Sequence, residues 1–157
     1  MAEKGPSCVK ATDLPSRSGT NYPEAVAAAV RGREKRVLGD TFGLDQFGVN
    51  LTTLAPGAAS SHRHWHERED EFIYVLDGEI ILVDDAGEHR LTSGMCAGFK
   101  AGVPNGHCLV NRSKAPVTYL EIGSRSSEER STYPDVDLVG VKGGGKWSFT
   151  RKDGSPF

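Results

Sequence analysis

The sequence lacks the features that mark membrane proteins and nucleic-acid-binding proteins. No apolar run approaches the roughly 18 residues needed to cross a bilayer. The segment 1–10 is polar and has no apolar stretch of the signal-peptide type, so we expect a cytoplasmic protein that binds no membrane. Lysine and arginine number 19 against 21 aspartate and glutamate residues, a balance that excludes the basic surface used to bind nucleic acid.

Cysteine is also scarce. Cys8, Cys96 and Cys108 are too widely spaced for a disulfide framework, and they form no Cys-x-x-Cys pair of the kind that holds zinc. We therefore expect Cys96 and Cys108 to pack as small buried apolar side chains.

Glycine, by contrast, is abundant. The chain has 19 glycines among 157 residues, against an average share of roughly 7%. Turn signals such as Pro56-Gly57 and the segment 84–87 recur every several residues, with short alternating segments and no helix between them. This pattern predicts an all-β fold, an antiparallel barrel or sandwich.

Three segments of different character follow one another along the chain. Residues 1–45 are predicted to form an N-terminal extension with one short helix that starts near Pro23, a residue suited to a first helical turn. Residues 46–123 are predicted to form the barrel, including a hairpin that turns at Asp77-Gly78. Residues 124–157 form a C-terminal extension that packs on the barrel or on a partner.

The predicted strands at 72–76 and 80–83 are apolar at every position. One face of each strand can line the barrel, but the other face also needs a cover. The N-terminal extension or a second subunit would supply it, and on this ground we predict a homodimer.

Histidines cluster at alternate positions ahead of a predicted buried strand. Because alternate residues of a strand point to one side, His62, His64 and His66 are expected to share a face. Glu71 follows at the start of the apolar strand and would enter the interior, where a cation offsets the cost of burying a carboxylate. Three imidazoles on one face favour a metal site over an exposed histidine-rich edge.

These residues resemble the two motifs of the cupin superfamily. The first motif has a Pro-Gly turn, His-x-His, four residues, Glu, six residues and Gly, and it is matched by Pro56-Gly57, His64, His66, Glu71 and Gly78. The second motif is matched by Gly94, Gly102, His107 and Asn111, with Lys100 where the family usually has proline.

The resemblance implies an antiparallel double-stranded β-helix, or jelly-roll barrel, with one divalent transition metal: Mn, Fe, Ni or Zn. The ligands it implies are His64, His66, Glu71 and His107, with His62 behind them. The sequence around these two motifs is similar to that of small bacterial single-barrel cupins. Some of those proteins are provisionally described as sugar-phosphate isomerases.

The resemblance leaves three functions open. A metal-dependent enzyme acting on a small polar metabolite, such as an isomerase of a sugar or sugar phosphate, is preferred. An Fe(II)-dependent dioxygenase and a non-catalytic small-molecule sensor are the alternatives. Tyr119 and Glu121 share a face of the last barrel strand and are candidates for proton transfer. The cations nearest in sequence for a phosphate are Lys100, Arg63 and Arg112.

Overall fold

The computed structural model describes residues 7–157, and β-strands dominate this part of the chain. The strands are β1 (Arg33–Val37), β2 (Phe47–Leu54), β3 (Trp65–His66), β4 (Glu71–Asp77), β5 (Glu79–Asp84), β6 (Gly87–Thr92), β7 (Cys96–Phe99), β8 (Cys108–Val110), β9 (Val117–Ser124), β10 (Glu129–Tyr133), β11 (Leu138–Gly143) and β12 (Lys146–Thr150). The helices are α1 (Glu24–Ala27) and α2 (Leu38–Thr41), with 3-10 turns at Ala11–Asp13 and Ala28–Val30.

The strands pair in three sheets, ordered β1-β2-β9-β4-β7, β12-β11-β10-β3 and β6-β5-β8. All of the pairings are antiparallel. The predicted all-β antiparallel fold with a short N-terminal helix is confirmed. No helix in the range 7–157 is long and apolar enough to cross a membrane.

The hairpin predicted at Asp77-Gly78 is wrong. Strand β4 pairs with β7 and β9, whereas β5 pairs with β6 and β8, so the chain passes from one sheet to another at Gly78. Gly78 has a φ of 88°, and a Cβ there would lie 3.2 Å from the Pro116 carbonyl oxygen. The glycine thus permits a change of sheet, which a local turn signal does not distinguish from a hairpin.

The core lies on the inner faces of the sheets. Leu54, Val75, Ile80 and Val117 are fully buried there. Alternate residues of β4 follow the expected parity, with Ile73 and Val75 inside and their neighbours outside. Glu71 shares the inner parity, so the strand that builds the core also delivers a carboxylate to the interior.

Both terminal segments contribute strands to these sheets. Strand β1 pairs along its whole length with β2, and α2 also packs against β2. At the other end of the chain, β10 holds the short strand β3 by the pairs Ser131–His66 and Thr132–Trp65. Residues far from the histidine cluster in sequence therefore set its position.

The outer face of β4 stays open within the described residues. Phe72, Tyr74 and Leu76 are 40%, 40% and 41% exposed. Cys96 lies beside Tyr74 on β7 and is exposed, so the expectation that it is buried is wrong. Cys108 is buried as expected.

Candidate metal centre

Four side chains from three segments of the chain converge: His64 and His66 from one, Glu71 from β4, and His107 from the turn before β8. His64 Nε2 lies 3.1 Å from His66 Nε2, and His107 Nε2 lies 2.7 Å from Glu71 Oε2. The same Glu71 oxygen is 3.8 Å from His64 Nε2 and 3.6 Å from His66 Nε2. The ligand atoms of His64, His66 and Glu71 all lie within 4.8 Å of one another, and His107 joins them through Glu71.

Local backbone pairing explains why these residues meet. His64 and His107 form an antiparallel bridge in which each backbone N–H donates to the other residue's carbonyl. His66 follows on β3, and Glu71 begins β4, whose partner residue on β7 is Phe99. The two motifs are thereby brought side by side, so that Glu71 of the first meets His107 of the second, 36 residues further along the chain.

The far side of each imidazole is held by an oxygen atom. His64 Nδ1 lies 3.0 Å from the His62 carbonyl, and His107 Nδ1 lies 3.3 Å from the Asn105 carbonyl. A carbonyl only accepts hydrogen bonds, so Nδ1 of His64 carries the proton and the Nε2 lone pair of that ring faces the cluster. His107 also turns its Nε2 toward the cluster, where it donates to the Glu71 carboxylate. Ser131 Oγ holds His66 in the same way, 3.0 Å from its Nδ1. Metal-binding histidines are oriented in this manner, so these residues fit a metal ion.

The electrostatics of the cluster suit these ligand states at His64 and Glu71. Burial lowers the pKa of His64 to about 4, so this imidazole is neutral at neutral pH. Burial acts to raise the pKa of Glu71, but the imidazoles of His107 and His66 outweigh it and hold that pKa well below its usual value. A neutral imidazole beside an ionised carboxylate is the donor set that a divalent transition metal takes.

A cavity of about 220 Å³ opens beside the cluster. Both proton-transfer candidates line it. Tyr119 is fully buried, and its hydroxyl has no hydrogen-bond partner within the described part of the chain. Glu121 is held by Lys35 Nζ at 2.6 Å and by Asn50 Nδ2 at 3.2 Å. The cavity also has an aromatic border made by Tyr22, Tyr133, Trp147 and Phe149.

The His62 side chain lies elsewhere than expected. Its Nε2 is 2.8 Å from the Val26 carbonyl, and its ring packs against Tyr22. Residues 60–63 form bends rather than a strand, so the rule of alternate faces does not apply there and the predicted shared face is wrong for this residue. His62 meets the cluster through its backbone carbonyl instead of its imidazole.

The three cations that the sequence suggested for binding a phosphate do not face the cavity. Arg63 pairs with Asp135 at 2.7 Å and Asp85 at 3.0 Å, while Arg112 pairs with Glu88. Lys100 borders a separate hollow on the other side of the cluster.

Two other cations, Arg33 and Lys35, line the cavity from β1. The two residues are two positions apart, so their side chains share one face of the strand. The sequence does not predict a strand here, because β1 is charged at four of five positions and shows no apolar alternation.

Glu129 is a further residue that the sequence did not single out. It is 3% exposed, and its carboxylate accepts hydrogen bonds from the backbone N–H groups of Glu67, Arg68 and Arg130. It thereby fixes the loop that joins His66 to Glu71. No local pattern reveals this role, because the contact spans about 60 residues.

Comparison with known proteins agrees with this geometry. Residues 50–123 match the family of cupin domains. The crystal structure of a sugar phosphate isomerase of the cupin superfamily from Silicibacter pomeroyi is 47% identical, with 96% of each chain covered and a TM-score of 0.92. The chain therefore belongs to the cupin superfamily, as the two motifs indicated.

More distant structures share the fold. A protein from Acidithiobacillus ferrooxidans, provisionally described as a sugar phosphate isomerase, is 27% identical over 77% of each chain, with a TM-score of 0.72. The polyketide cyclase RemF from Streptomyces resistomycificus is 22% identical over 75% of this chain and 78% of its own, with a TM-score of 0.63. The cyclase shows the shared fold alone. No curated protein matches the sequence.

Proposed function

We propose that the protein is a metal-dependent isomerase of a sugar or sugar phosphate, with one divalent transition metal held by His64, His66, Glu71 and His107. The observation that carries the proposal is the orientation of the imidazoles, whose Nδ1 atoms are held by oxygen atoms while the Nε2 atoms face Glu71. The relative from Silicibacter pomeroyi, similar over 96% of the chain, supports the choice of reaction.

Aldose–ketose isomerisation moves a proton between neighbouring carbons and needs a polarised oxygen beside a base. When bound, a divalent ion supplies Lewis-acid polarisation of carbonyl and hydroxyl oxygens. Glu121 is our candidate for the proton-transfer group, because it lines the cavity and its carboxylate is fixed by Lys35 and Asn50.

Tyr119 has a different role in this proposal. Burial raises the pKa of its hydroxyl well above the usual value, so the phenol stays protonated. It therefore serves as a hydrogen-bond donor to a substrate oxygen rather than as a base. Glu121 and Tyr119 lie at alternate positions of β9, which puts both on the inner face.

Elemental analysis of protein purified without a histidine tag tests the metal. We expect about one transition-metal ion per chain in the wild type, whatever its identity among Mn, Fe, Ni and Zn. We expect that content to fall at least roughly tenfold in His64→Ala and His107→Ala, because each removes a ligand. His89→Ala is the matched control, since His89 is exposed and pairs with Asp84. Equal metal content in all four proteins would overturn the proposed site.

The reaction is tested with the metal-loaded wild type on a panel of aldose and ketose phosphates and free sugars, followed by NMR. We expect interconversion that proceeds without oxygen and that is lost in Glu121→Gln. Turnover that requires oxygen would instead favour the dioxygenase, and tight binding with no turnover would favour the sensor.

We also propose that a second copy of the chain covers the outer face of β4. Phe72, Tyr74 and Leu76 form an exposed apolar row there, and the N-terminal segment covers β2 instead. The barrel of 46–123 with its two extensions would then be one half of a homodimer. The free, exposed thiols of Cys8 and Cys96 suit the reducing cytoplasm.

A further inference from the structure

The cavity beside the cluster contains a guanidinium whose charge is not balanced by a carboxylate. Among residues 7–157, the hydrogen-bond partners of the Arg33 guanidinium are two neutral groups, the carbonyl oxygens of Ser60 and Gly19. A guanidinium has five N–H donors in a planar fork. Donors therefore remain after these contacts, and no carboxylate between residues 7 and 157 pairs with the positive charge.

Lys35, the other cation of the cavity, is in a different state. Its Nζ lies 2.6 Å from Glu121 Oε1, so its charge is balanced within the protein. Glu71 is the remaining charged side chain of the lining and belongs to the metal cluster. A divalent ion on that cluster would leave the cavity with two positive charges, which favours an anionic ligand over a neutral one.

The Tyr119 hydroxyl is a second group that needs a partner. It is buried, has no hydrogen bond to any residue from 7 to 157 and lines the same cavity, although an unsatisfied buried polar group costs roughly 1–3 kcal/mol. The strand register sets Lys35 opposite Thr52, and Thr52 opposite Tyr119. Arg33 lies two residues before Lys35 on β1 and shares its face, so Arg33 and Tyr119 both project inward.

The guanidinium and the metal cluster are near enough to serve one ligand. Arg33 contacts the carbonyl of Ser60, and the hydroxyl of the next residue, Ser61, lies 3.3 Å from His64 Nδ1. Both ends thus belong to one cavity of about 220 Å³, which suits a small metabolite with a polar group at each end.

We propose that Arg33, assisted by the Tyr119 hydroxyl, is the subsite for an oxyanion of the ligand. The planar fork of a guanidinium suits either a phosphate monoester or a carboxylate, because both offer paired oxygens. The inference rests on the proposed function in one respect, that the ligand which reaches Arg33 also reaches the metal cluster.

Calorimetric titration with inorganic phosphate, and separately with acetate, tests the subsite in the metal-loaded and metal-stripped protein. We expect phosphate affinity to fall by roughly 10–100-fold in Arg33→Met, the loss expected when a charged hydrogen bond is removed. Tyr119→Phe should weaken phosphate binding by a smaller factor without destabilising the fold, since the hydroxyl has no hydrogen-bond partner in the described part of the chain. Arg36→Met is the control, because Arg36 lies on the same strand and binds the Leu14 carbonyl.

The outcomes separate this inference from the proposed function. Affinities for both phosphate and acetate that are unchanged in Arg33→Met, or no binding of either anion to the wild type, would overturn the subsite. If acetate alone shows the dependence on Arg33, the ligand carries a carboxylate. If Arg33-dependent binding persists in a protein that never takes up metal, the subsite stands and the metal-dependent isomerase fails. Should Arg33→Met not fold, Tyr119→Phe and Arg33→Lys, judged by the same titration, decide the matter.

Discussion

Ser131 and His66, 65 residues apart in sequence, form a direct contact in which Ser131 Oγ lies 3.0 Å from His66 Nδ1. The two residues are also backbone partners across β10 and β3. The hydroxyl is almost completely buried, so water does not replace it. The contact therefore connects β10, in the predicted C-terminal extension, to the metal cluster.

Removal of that hydroxyl should weaken metal binding without removing a ligand. In Ser131→Ala, His66 loses the group that orients its ring, and the loss of such a partner typically costs 10–100-fold in metal affinity. We expect an affinity loss of this order, measured by competition with a chelator of known affinity. Ser148→Ala serves as the control, because that hydroxyl is exposed on β12 and contacts only the Val141 carbonyl. Equal affinities in the two variants would show that Ser131 has no such role.

The change of sheet at Gly78 should be sensitive to any side chain. Gly78→Ala places a Cβ against the backbone of Pro116 and Val117 and also imposes a positive φ on alanine. We expect a loss of about 2–3 kcal/mol in the free energy of unfolding, measured by denaturant titration. Gly94→Ala has a similar φ of 87° but open space around it, so its loss should be only about 1 kcal/mol. A loss at Gly94 as large as that at Gly78 would contradict the close approach.

The open face of β4 predicts how the oligomer can be split. Tyr74→Glu puts a charge in the centre of the apolar row formed with Phe72 and Leu76, and burial of an unpaired charge is strongly unfavourable. We expect light scattering to give a mass near twice 16.9 kDa for the wild type and near 16.9 kDa for the variant. Val141→Glu, on another sheet and 39% exposed, should leave the dimer intact. A wild type that is already monomeric would refute the proposed dimer.

Acid should weaken the ion pair between Arg63 and Asp135. The hydrogen bond from Arg63 lowers the pKa of Asp135 below its usual 3.8, so the ionised pair stabilises the fold above that pH and the contribution is lost as the pH falls through the lowered pKa. Because the Asp135 side chain is 54% exposed, we expect Asp135→Asn to cost only about 0.2–1 kcal/mol at pH 7. The difference from wild type should disappear once the pH falls below the lowered pKa of Asp135. If the difference in the free energy of unfolding persists in acid, the Arg63–Asp135 pair is not its cause. Asp45→Asn is the control.

The features of the fold and site that the sequence predicts are those specified by residues close together in the chain or by a family motif. His64, His66 and Glu71 lie within eight residues of one another and follow strand parity and a family motif, so their convergence could be predicted. His107 was found by the second motif alone. The inner face of β4 also followed from alternation, since Glu71 shares its side with Ile73 and Val75.

Other parts depend on long-range pairing that leaves no local signal. Strand β1 is charged at four of five positions, so only its pairing with β2 reveals that Arg33 and Lys35 face the cavity. Gly78 looks like a hairpin turn until the partners of β4 and β5 are known. Ser131 and Glu129 lie in a segment interpreted as an extension, although both hold residues next to the cluster.

The strand β3 is only two residues long and is held in its sheet by β10. A polypeptide emerges from the ribosome with its N-terminal part first, so His66 lacks its anchor until residues up to Tyr133 are available. The barrel strands before that point can pair earlier, but the His66 imidazole gains its orienting partner only once β10 has been made. We therefore expect metal to be held tightly only late in the synthesis of the chain, and a chain truncated before β10 should bind it more weakly.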